Sequence, residues 1–385
     1  MSKKKIISYL ILRFLVTFIL VIPTTLLAQE KGPPKLKQWK GKGTIIEFQS
    51  VPSMTVKDFL IGKKPERQVT ISGTLNFPAN AAEKNAPVVV LLHGWGGIKD
   101  TNEHWLKVFN NMGLATFMVD SAWARRNCKK DNNYKKAIPF CAARNKGMNR
   151  IIDGYRALEL LSKHPRIDPD KIGCLGISLG ARGCLHLNVK RFQKMWGTPG
   201  LDYAASVPMY PACNVIFKED DEITDTPIRI HIGELDTYGS SDSCVDYVKR
   251  LKAKGKDVEV KVYPETHHGF EAPVSGGRSG KSKGHSDGKC YYEENSSLPV
   301  AEMAPDDVAI ISQIGFNEWY ATATKEEKYK VFGNLKGRHE LGWRSSEIRF
   351  DNSCVRKYQI LAHNKDSSAE AEKLVREFFT ETLMK

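Results

Sequence analysis

Short apolar runs after Pro87 restrict how this chain can fold more than any other feature. Six such runs follow one another, and segments of helical length and amphipathic character separate most of them. Continuous apolar runs are typical of strands buried on both faces, and the helices between them supply the crossovers that parallel strands need. The runs are Val88–Leu92, Ala115–Val119, Ile172–Leu175, Ala204–Val207, Ile228–Ile232 and Val258–Val262. The pattern predicts an α/β fold with a mostly parallel sheet flanked by helices.

Further elements extend this core at both ends. Thr44–Phe48 and the alternating segment Val69–Phe77 predict an antiparallel opening pair of strands. Ser367–Leu383 carries apolar residues on one side and predicts a terminal helix. The helices predicted between the strands are Glu103–Met112, Lys146–Leu161, Leu179–Lys190 and Ser241–Lys254. We therefore expect one domain over residues 44–385.

A long insertion is expected between the last strand and the terminal helix. Residues 275–289 are too polar and rich in glycine to pack, and the segment from Cys290 to about Asn352 has mixed character. Because structureless connections of this length are uncommon, the insertion at about 275–352 is a candidate lid or partner surface.

The first residues predict export. Lys3–Lys5 precede the apolar stretch Ile6–Ile22, in which Arg13 is the only charge, and Ala28 offers a small residue for cleavage. We expect a signal peptide over residues 1–28, cleaved after Ala28, and then an exposed leader over residues 29–43. The mature protein would be periplasmic or secreted, with no stable membrane span. An uncleaved membrane anchor is the alternative, because the apolar stretch is nearly long enough to span a bilayer.

The chain is basic. Its formal net charge is +14, and the four basic residues before Ala28 leave +10 on the expected mature protein. Such a charge favours anionic envelope polymers or acidic substrates, although the lysines are scattered and fit an ordinary solvated surface. Export argues against nucleic acid as a partner.

All eight cysteines follow Ala28, so an oxidising compartment would allow disulfides. Cys174 and Cys184 have apolar surroundings on either side of Ser178, and we expect them to be buried free thiols. The expected pairs are Cys128 with Cys141, Cys213 with Cys244, and Cys290 with Cys354.

The sequence Gly-Ile-Ser-Leu-Gly at Gly176–Gly180 lies between an apolar run and a predicted helix. In this context a serine sits on a strained turn from strand to helix, and small residues on both sides let the turn approach neighbouring strands. The dipole of the following helix favours negative charge that develops near its first residues. Ser178 is therefore the predicted nucleophile.

A serine hydroxyl needs a base to take its proton and an acid to hold that base in the useful tautomer. Two later apolar runs lead into polar loops that contain Asp236 and His268, in the chain order that such a triad requires. Both loops follow strands, at the sheet edge where ligands bind. The competing candidates are Glu234 and Asp242 for the acid and His267 for the base.

The loop His93–Gly97 directly follows the first apolar run and is expected to help stabilise the oxyanion of the transition state. We predict that the backbone N–H groups of Trp95 and Leu179 are the donors. A glycine-rich loop after a strand also suits phosphate, but the spacings of the dinucleotide-binding and P-loop motifs are absent from this sequence.

Together these motifs resemble the dienelactone hydrolase family, and in particular its exported members. The resemblance spans roughly Gly73 to Phe270 and resumes at the terminal helix. It rests on His93–Gly97, Asp120–Ser121, Arg150 and Asp153, Asp168–Ile172, Gly176–Gly180, Gly233–Asp236, Tyr263–Pro264 and His268–Phe270. It implies the α/β-hydrolase fold, the triad Ser178, Asp236 and His268, and neither a metal nor an organic cofactor.

The chain departs from that family at its nucleophile. Dienelactone hydrolases use a cysteine where this sequence has Ser178. The dienelactone substrate is therefore not carried over. His93, Trp123 and Arg125 are the candidates for substrate contact. Arg125 follows a predicted strand and is placed to bind a substrate carboxylate or to form a structural salt bridge; Trp95 and Trp123 either line the pocket or belong to the core.

These features predict a serine hydrolase that cleaves a small carboxylic ester or lactone through an acyl-enzyme. An exported peptidase and an acyltransferase would use the same machinery. A catalytically silent protein that binds envelope polymers through its positive charge is the alternative from another class.

Overall fold

A computed structural model describes residues 43–125, 147–271, 280–282, 292–294, 311–312 and 359–385. The strands in this part of the chain are β1 (Thr44–Ser50), β2 (Val69–Asn76), β3 (Ala86–Leu92), β4 (Ala115–Asp120), β5 (Ile167–Ile177), β6 (Ala205–Met209), β7 (Val215–Ile216), β8 (Ile228–Gly233), β9 (Val258–Tyr263), β10 (Gly280–Ser282), β11 (Tyr292–Glu293), β12 (Ile311–Ser312) and β13 (Gln359–Leu361). The helices are α1 (Val56–Leu60), α2 (Asp100–Met112), α3 (Met148–Ser162), α4 (Leu179–His186), α5 (Lys190–Trp196), α6 (Ser241–Ala253) and α7 (Lys365–Leu383).

Eight strands form one sheet in the order β1-β2-β4-β3-β5-β6-β8-β9. Strand β2 runs antiparallel to both of its neighbours, and the pairs from β4 to β9 are all parallel. The predicted parallel sheet and antiparallel opening pair are both confirmed. This strand order, with helices between the parallel strands, is the α/β-hydrolase fold.

Helices cover both faces of the sheet. On β5, a side chain at Gly173 would meet Phe379 of α7, whereas the next residue, Cys174, is bonded to Cys184 of α4. Because successive strand residues point to opposite faces, α7 and α4 lie on opposite sides of the sheet. Phe109 of α2 packs edge-on against Phe379, with ring centroids 5.2 Å apart. Burial on both faces explains why the central strands read as continuous apolar runs.

The terminal helix is confirmed, and one predicted helix is shorter than expected. Helix α7 begins after Asn364, whose side chain accepts a hydrogen bond from the Ser367 N–H. The segment predicted as one helix from Leu179 to Lys190 instead ends at His186. The Asn188 side chain donates to the carbonyl of Cys184 at 2.8 Å and to that of Leu185 at 3.2 Å, which satisfies groups that a continuing helix would have used.

The cysteine predictions have mixed outcomes. Cys213 and Cys244 form the expected disulfide, which ties the loop after β6 to α6. The prediction that Cys174 and Cys184 are free thiols is wrong, because they form a second disulfide. The turn from strand to helix brings their Cα atoms to 5.9 Å, which is within the usual span of a disulfide. The other two predicted pairs lie outside the described residues.

Parts of the expected insertion lie beside the main body. Strand β10 pairs with β13, and β11 lies between β12 and β7 in a second small sheet. Glu294, directly after β11, is buried and forms a 2.7 Å ion pair with Arg191 of α5.

The predicted signal peptide and nearly all of the leader lie outside the described residues. None of the helices in the described ranges is long and apolar enough to cross a bilayer.

Peptide mapping tests the two disulfides. Mass spectrometry of the unreduced protein should find Cys174 linked to Cys184 and Cys213 linked to Cys244. Replacing Cys213 and Cys244 by serine should lower the free energy of unfolding by about 3–4 kcal/mol, because the bond closes a loop with a sequence separation of 31 residues. Denaturant unfolding measures this loss, and a Cys174 peptide found only as the free thiol would contradict the assignment.

Candidate active site

Ser178 lies on a sharp turn between β5 and α4. Its backbone has φ of 54° and ψ of −112°, a region that residues other than glycine rarely occupy. A Cβ atom at Gly180 would lie 2.0 Å from the carbonyl oxygen of Leu92, and one at Gly176 would lie 2.2 Å from the oxygen of Gly180. Both positions therefore require glycine, and the turn presents the Ser178 hydroxyl at the carboxyl edge of the sheet.

Three distant side chains meet at this edge. Nε2 of His268 lies 2.9 Å from Oγ of Ser178, and Nδ1 of His268 lies 2.7 Å from Oδ2 of Asp236. Because an ionised carboxylate only accepts hydrogen bonds, Nδ1 carries the ring proton and Nε2 is left to accept the proton of Ser178. This arrangement can remove a proton from Ser178 and return it to a leaving group.

The acid loop orients Asp236. Its second oxygen, Oδ1, accepts hydrogen bonds from the backbone N–H groups of Tyr238 at 2.8 Å and Gly239 at 3.0 Å. Asp236 is buried, so these donors replace the water that an ionised carboxylate would otherwise bind. The other acid candidates are engaged elsewhere: Glu234 accepts from the backbone of Glu265, and Asp242 lies in the first turn of α6.

The base loop separates the two histidine candidates. Nδ1 of His267 lies 3.0 Å from the carbonyl oxygen of Leu235, whereas His268 points between Ser178 and Asp236. Of the predicted triad candidates, the structure brings together Ser178, Asp236 and His268.

Two tyrosines enclose the His268 ring. Tyr238 stacks on it at an interplanar angle of 27°, and Tyr210 approaches at 63°, both with centroids 4.4 Å away. The Tyr210 hydroxyl donates a short hydrogen bond to the buried carboxylate of Glu271. Sequence reasoning missed all three residues. Only their positions in the sequence could have indicated them: Tyr210 directly follows β6, and Tyr238 and Glu271 lie within three residues of Asp236 or His268.

The predicted oxyanion loop adjoins Ser178. A Cβ atom at Gly94 would lie 3.4 Å from the Ile177 oxygen and 3.6 Å from Cβ of Ser178, so His93–Gly97 packs beside the turn. Leu179 is the first residue of α4, where a backbone N–H has no partner within the helix. Trp95 follows Gly94 and is partly exposed.

His93 itself is fully buried, and its backbone is held by a contact with Arg150. Its carbonyl oxygen accepts from Nε of Arg150 at 3.3 Å. Burial, reinforced by the Arg150 charge, holds the pKa of His93 well below its ordinary value, so the ring is neutral. This position does not support the predicted substrate contact for His93.

Arg125 is part of a buried network. Its guanidinium donates to both oxygens of Asp153, at 2.6 and 2.7 Å, and to Ser50 at 3.0 Å. It also donates to the carbonyl oxygens of Val51 at 2.8 Å and Ser121 at 2.9 Å. All five contacts are within the protein and the side chain is 3% exposed. The structure supports the salt bridge and not the predicted substrate contact.

Trp123 lies in the 3₁₀ turn Trp123–Arg125 and is partly exposed. Oδ1 of Asp120 accepts from the backbone N–H groups of Ala122 and Trp123, which orders this turn at the end of β4. The turn thus begins at the same sheet edge as the triad, and a pocket role for Trp123 stays a prediction.

The chain returning from the insertion is tied to the loops that contain Asp236 and His268. The N–H of Ile360 donates to Oγ1 of Thr237 at 2.9 Å, and the N–H of Ala362 donates to the carbonyl oxygen of His268 at 3.2 Å. Strand β13 therefore holds the acid and base loops beside each other. In the described part of the chain, no group of three or more His, Cys, Asp or Glu side chains is arranged to hold a metal ion.

The sheet order and the turn at Ser178 define an α/β-hydrolase. The chain belongs to the dienelactone hydrolase family, whose sequence model matches residues 71–290, more than half of its length. It is also similar to Protein usf of Aquifex pyrophilus, at 26% identity over 188 residues, covering 48% of this chain and 76% of that protein.

Solved structures similar to the chain include two hydrolases. One is a dienelactone hydrolase-like promiscuous phosphotriesterase from metagenomic libraries, with 12% identity, a TM-score of 0.47, and coverage of 88% of this chain and 99% of the other. The second is a thermophilic esterase of Thermogutta terrifontis, with 16% identity, a TM-score of 0.41, and coverage of 54% and 83%.

Backbone strain at Ser178 should be measurable as lost stability. Glycine adopts the observed φ and ψ without a Cβ clash, whereas alanine does not. We expect Ser178→Gly to be more stable than Ser178→Ala by about 1 kcal/mol in denaturant unfolding. Ser162→Gly and Ser162→Ala provide the control, because Ser162 lies at the end of helix α3, where the glycine variant should be the less stable of the two. An alanine variant as stable as the glycine variant would contradict strain at this turn.

Proposed function

We propose that the protein is a serine hydrolase that cleaves a small carboxylic ester or lactone through an acyl-enzyme. The observation that carries this proposal is the hydrogen-bonded chain from Ser178 through His268 to Asp236. Membership of the dienelactone hydrolase family supports hydrolysis of an ester bond. The serine nucleophile and the acyl-enzyme are the parts that this proposal adds.

In the first half of the reaction, Nε2 of His268 takes the proton of Ser178 as Oγ attacks the substrate carbonyl carbon. The carbonyl π electrons move to oxygen, and we assign the N–H groups of Trp95 and Leu179 as donors to the resulting oxyanion. When the tetrahedral intermediate collapses, the bond to the alcohol oxygen breaks. His268 gives that oxygen the proton, and the acyl group remains on Ser178.

In the second half, water replaces the alcohol. His268 takes a proton from the water as its oxygen attacks the acyl carbon, and the proton returns to Oγ as the acid leaves. Asp236 keeps Nδ1 protonated throughout and stabilises the imidazolium formed in each half. The two backbone donors to Oδ1 prevent the carboxylate from rotating away.

Loss of the Ser178 hydroxyl should remove this activity. We expect Ser178→Ala to lower kcat on p-nitrophenyl acetate by about 10³-fold or more, because nucleophile and base act as a unit. Stopped-flow assays of the parent should show a burst of one p-nitrophenol per active site. Ser162→Ala is the matched control, since that hydroxyl bonds only to a helix carbonyl in the structure.

A fluorophosphonate probe gives a second test that does not depend on the choice of ester. The probe should label Ser178 in the folded parent and leave Ser178→Ala unlabelled. If the probe does not label the parent, and the parent and the alanine variant hydrolyse p-nitrophenyl acetate at equal rates, a protein that only binds its ligand is favoured.

We further propose that the protein is exported and cleaved after Ala28. Two disulfides within the described residues support an oxidising compartment. Expression of the whole chain in a bacterial host should yield a periplasmic or secreted product that begins at Gln29, as N-terminal sequencing would show. A product that stays in the membrane fraction and begins at Met1 would support the anchor.

A further inference from the structure

A buried acid near the triad has no part in the steps above. Glu271 is 1% exposed and lies three residues after His268. Its Oε1 accepts the short hydrogen bond from Tyr210, while Oε2 has no hydrogen-bond partner among the described residues. The indole N–H of Trp105 faces this carboxyl without reaching hydrogen-bond geometry. A buried acid with so few donors is costly to ionise and needs a reason to be there.

Tyr210 connects this acid to the catalytic base. Its ring lies against the His268 ring, its hydroxyl reaches Glu271, and its own φ is 45°. The Tyr210 N–H donates to the carbonyl oxygen of His231, and the carbonyl of the preceding Met209 accepts from the Ser178 N–H. Tyr210 is therefore held in a strained conformation between nucleophile, base and buried acid.

We propose that Tyr210 and Glu271 form a second support for His268, in which Tyr210 fixes the ring and Glu271 supplies a negative charge that stabilises the imidazolium. Both are positioning residues, since both are buried and act through His268. The inference rests on the proposed function, because it assigns a role in the proton transfer to and from Ser178.

The charge of Glu271 changes near neutral pH. Burial raises the pKa of Glu271 to about 7, and the Tyr210 hydrogen bond opposes this rise. Burial and the neighbouring Glu271 raise the pKa of Tyr210 well above its ordinary value, so the hydroxyl keeps the proton that it donates. The fraction of ionised Glu271 therefore increases as the pH rises through about 7.

The surroundings of Glu271 contain few other titratable groups. Tyr210 and His268 face it from the loops after β6 and β9, and the charge of Asp236 also acts on Tyr210. Trp105 on α2 and Ser368 on α7, whose hydroxyl donates to the Glu271 carbonyl, are uncharged.

The charge of Glu271 determines the direction in which its loss should move the pH profile. An anionic Glu271 attracts the imidazolium form of His268, and a neutral side chain at this position would not. The same attraction lowers the barrier, because imidazolium forms in the transition state. Removing the charge should therefore extend activity to lower pH while reducing the maximal rate.

Glu271→Gln tests the charge alone, because the amide oxygen can still accept from Tyr210. We expect the acid limb of kcat/KM for phenyl acetate to move to lower pH by about half a unit, and kcat on the plateau to fall about threefold. Tyr210→Phe removes the donor that favours the ionised acid and should move the limb in the same direction. Glu265→Gln is the matched control, with the same charge change at an exposed position of the same loop.

A readout without substrate separates this inference from the proposed function. NMR titration of the His268 ring protons should show a midpoint about half a unit lower in Glu271→Gln than in the parent, whether or not phenyl acetate is hydrolysed. If the parent hydrolyses no ester but this shift occurs, only the proposed function fails. An unchanged limb and midpoint in both Glu271→Gln and Tyr210→Phe, with reduced thermal stability only, would overturn the inference and leave Glu271 a structural residue.

Discussion

The close approach of α4 to β3 is the constraint on which the rest of the active site depends. A side chain at Gly180 would overlap the Leu92 carbonyl, so the helix packs directly on backbone. The chain can turn from β5 into this helix only if Ser178 takes a conformation that L-residues avoid. The turn places the hydroxyl clear of the sheet and the first helical N–H groups beside it. The strained backbone at Ser178 thus orients its hydroxyl oxygen.

Buried charges hold the surrounding loops, and each is satisfied in a different way. Arg125 and Asp153 share two hydrogen bonds, and Arg125 also joins the end of β1 to α3 through its contacts with Ser50 and Val51. Breaking one partner of such a pair is costly, because the other charge stays buried. Asp236 instead relies on backbone donors and His268, which leaves the ring free to change its charge in the proposed mechanism. The Arg125–Asp153 pair resists a change of charge, whereas the contacts of Asp236 permit one at His268.

The sequence predicted the parts of the molecule that depend on local pattern. Apolar runs located the parallel strands, and chain order selected Asp236 and His268 although they lie far from Ser178 along the chain. Contacts between side chains were less accessible. The bond between Cys174 and Cys184 depends on how closely the helix folds back on its strand, which no local pattern records.

Arg125 was predicted at the site and lies in a salt bridge, whereas Tyr210 was not predicted and lies beside His268. Arg125 follows a strand, which made it a candidate for substrate contact, but its partner Asp153 lies on a helix whose orientation is a tertiary property. Tyr210 also follows a strand, yet its hydroxyl turns toward Glu271 and its ring toward His268. Sequence order identifies which residues reach the active edge of a parallel sheet. The competition among buried polar partners decides which of them face the substrate and which support the others.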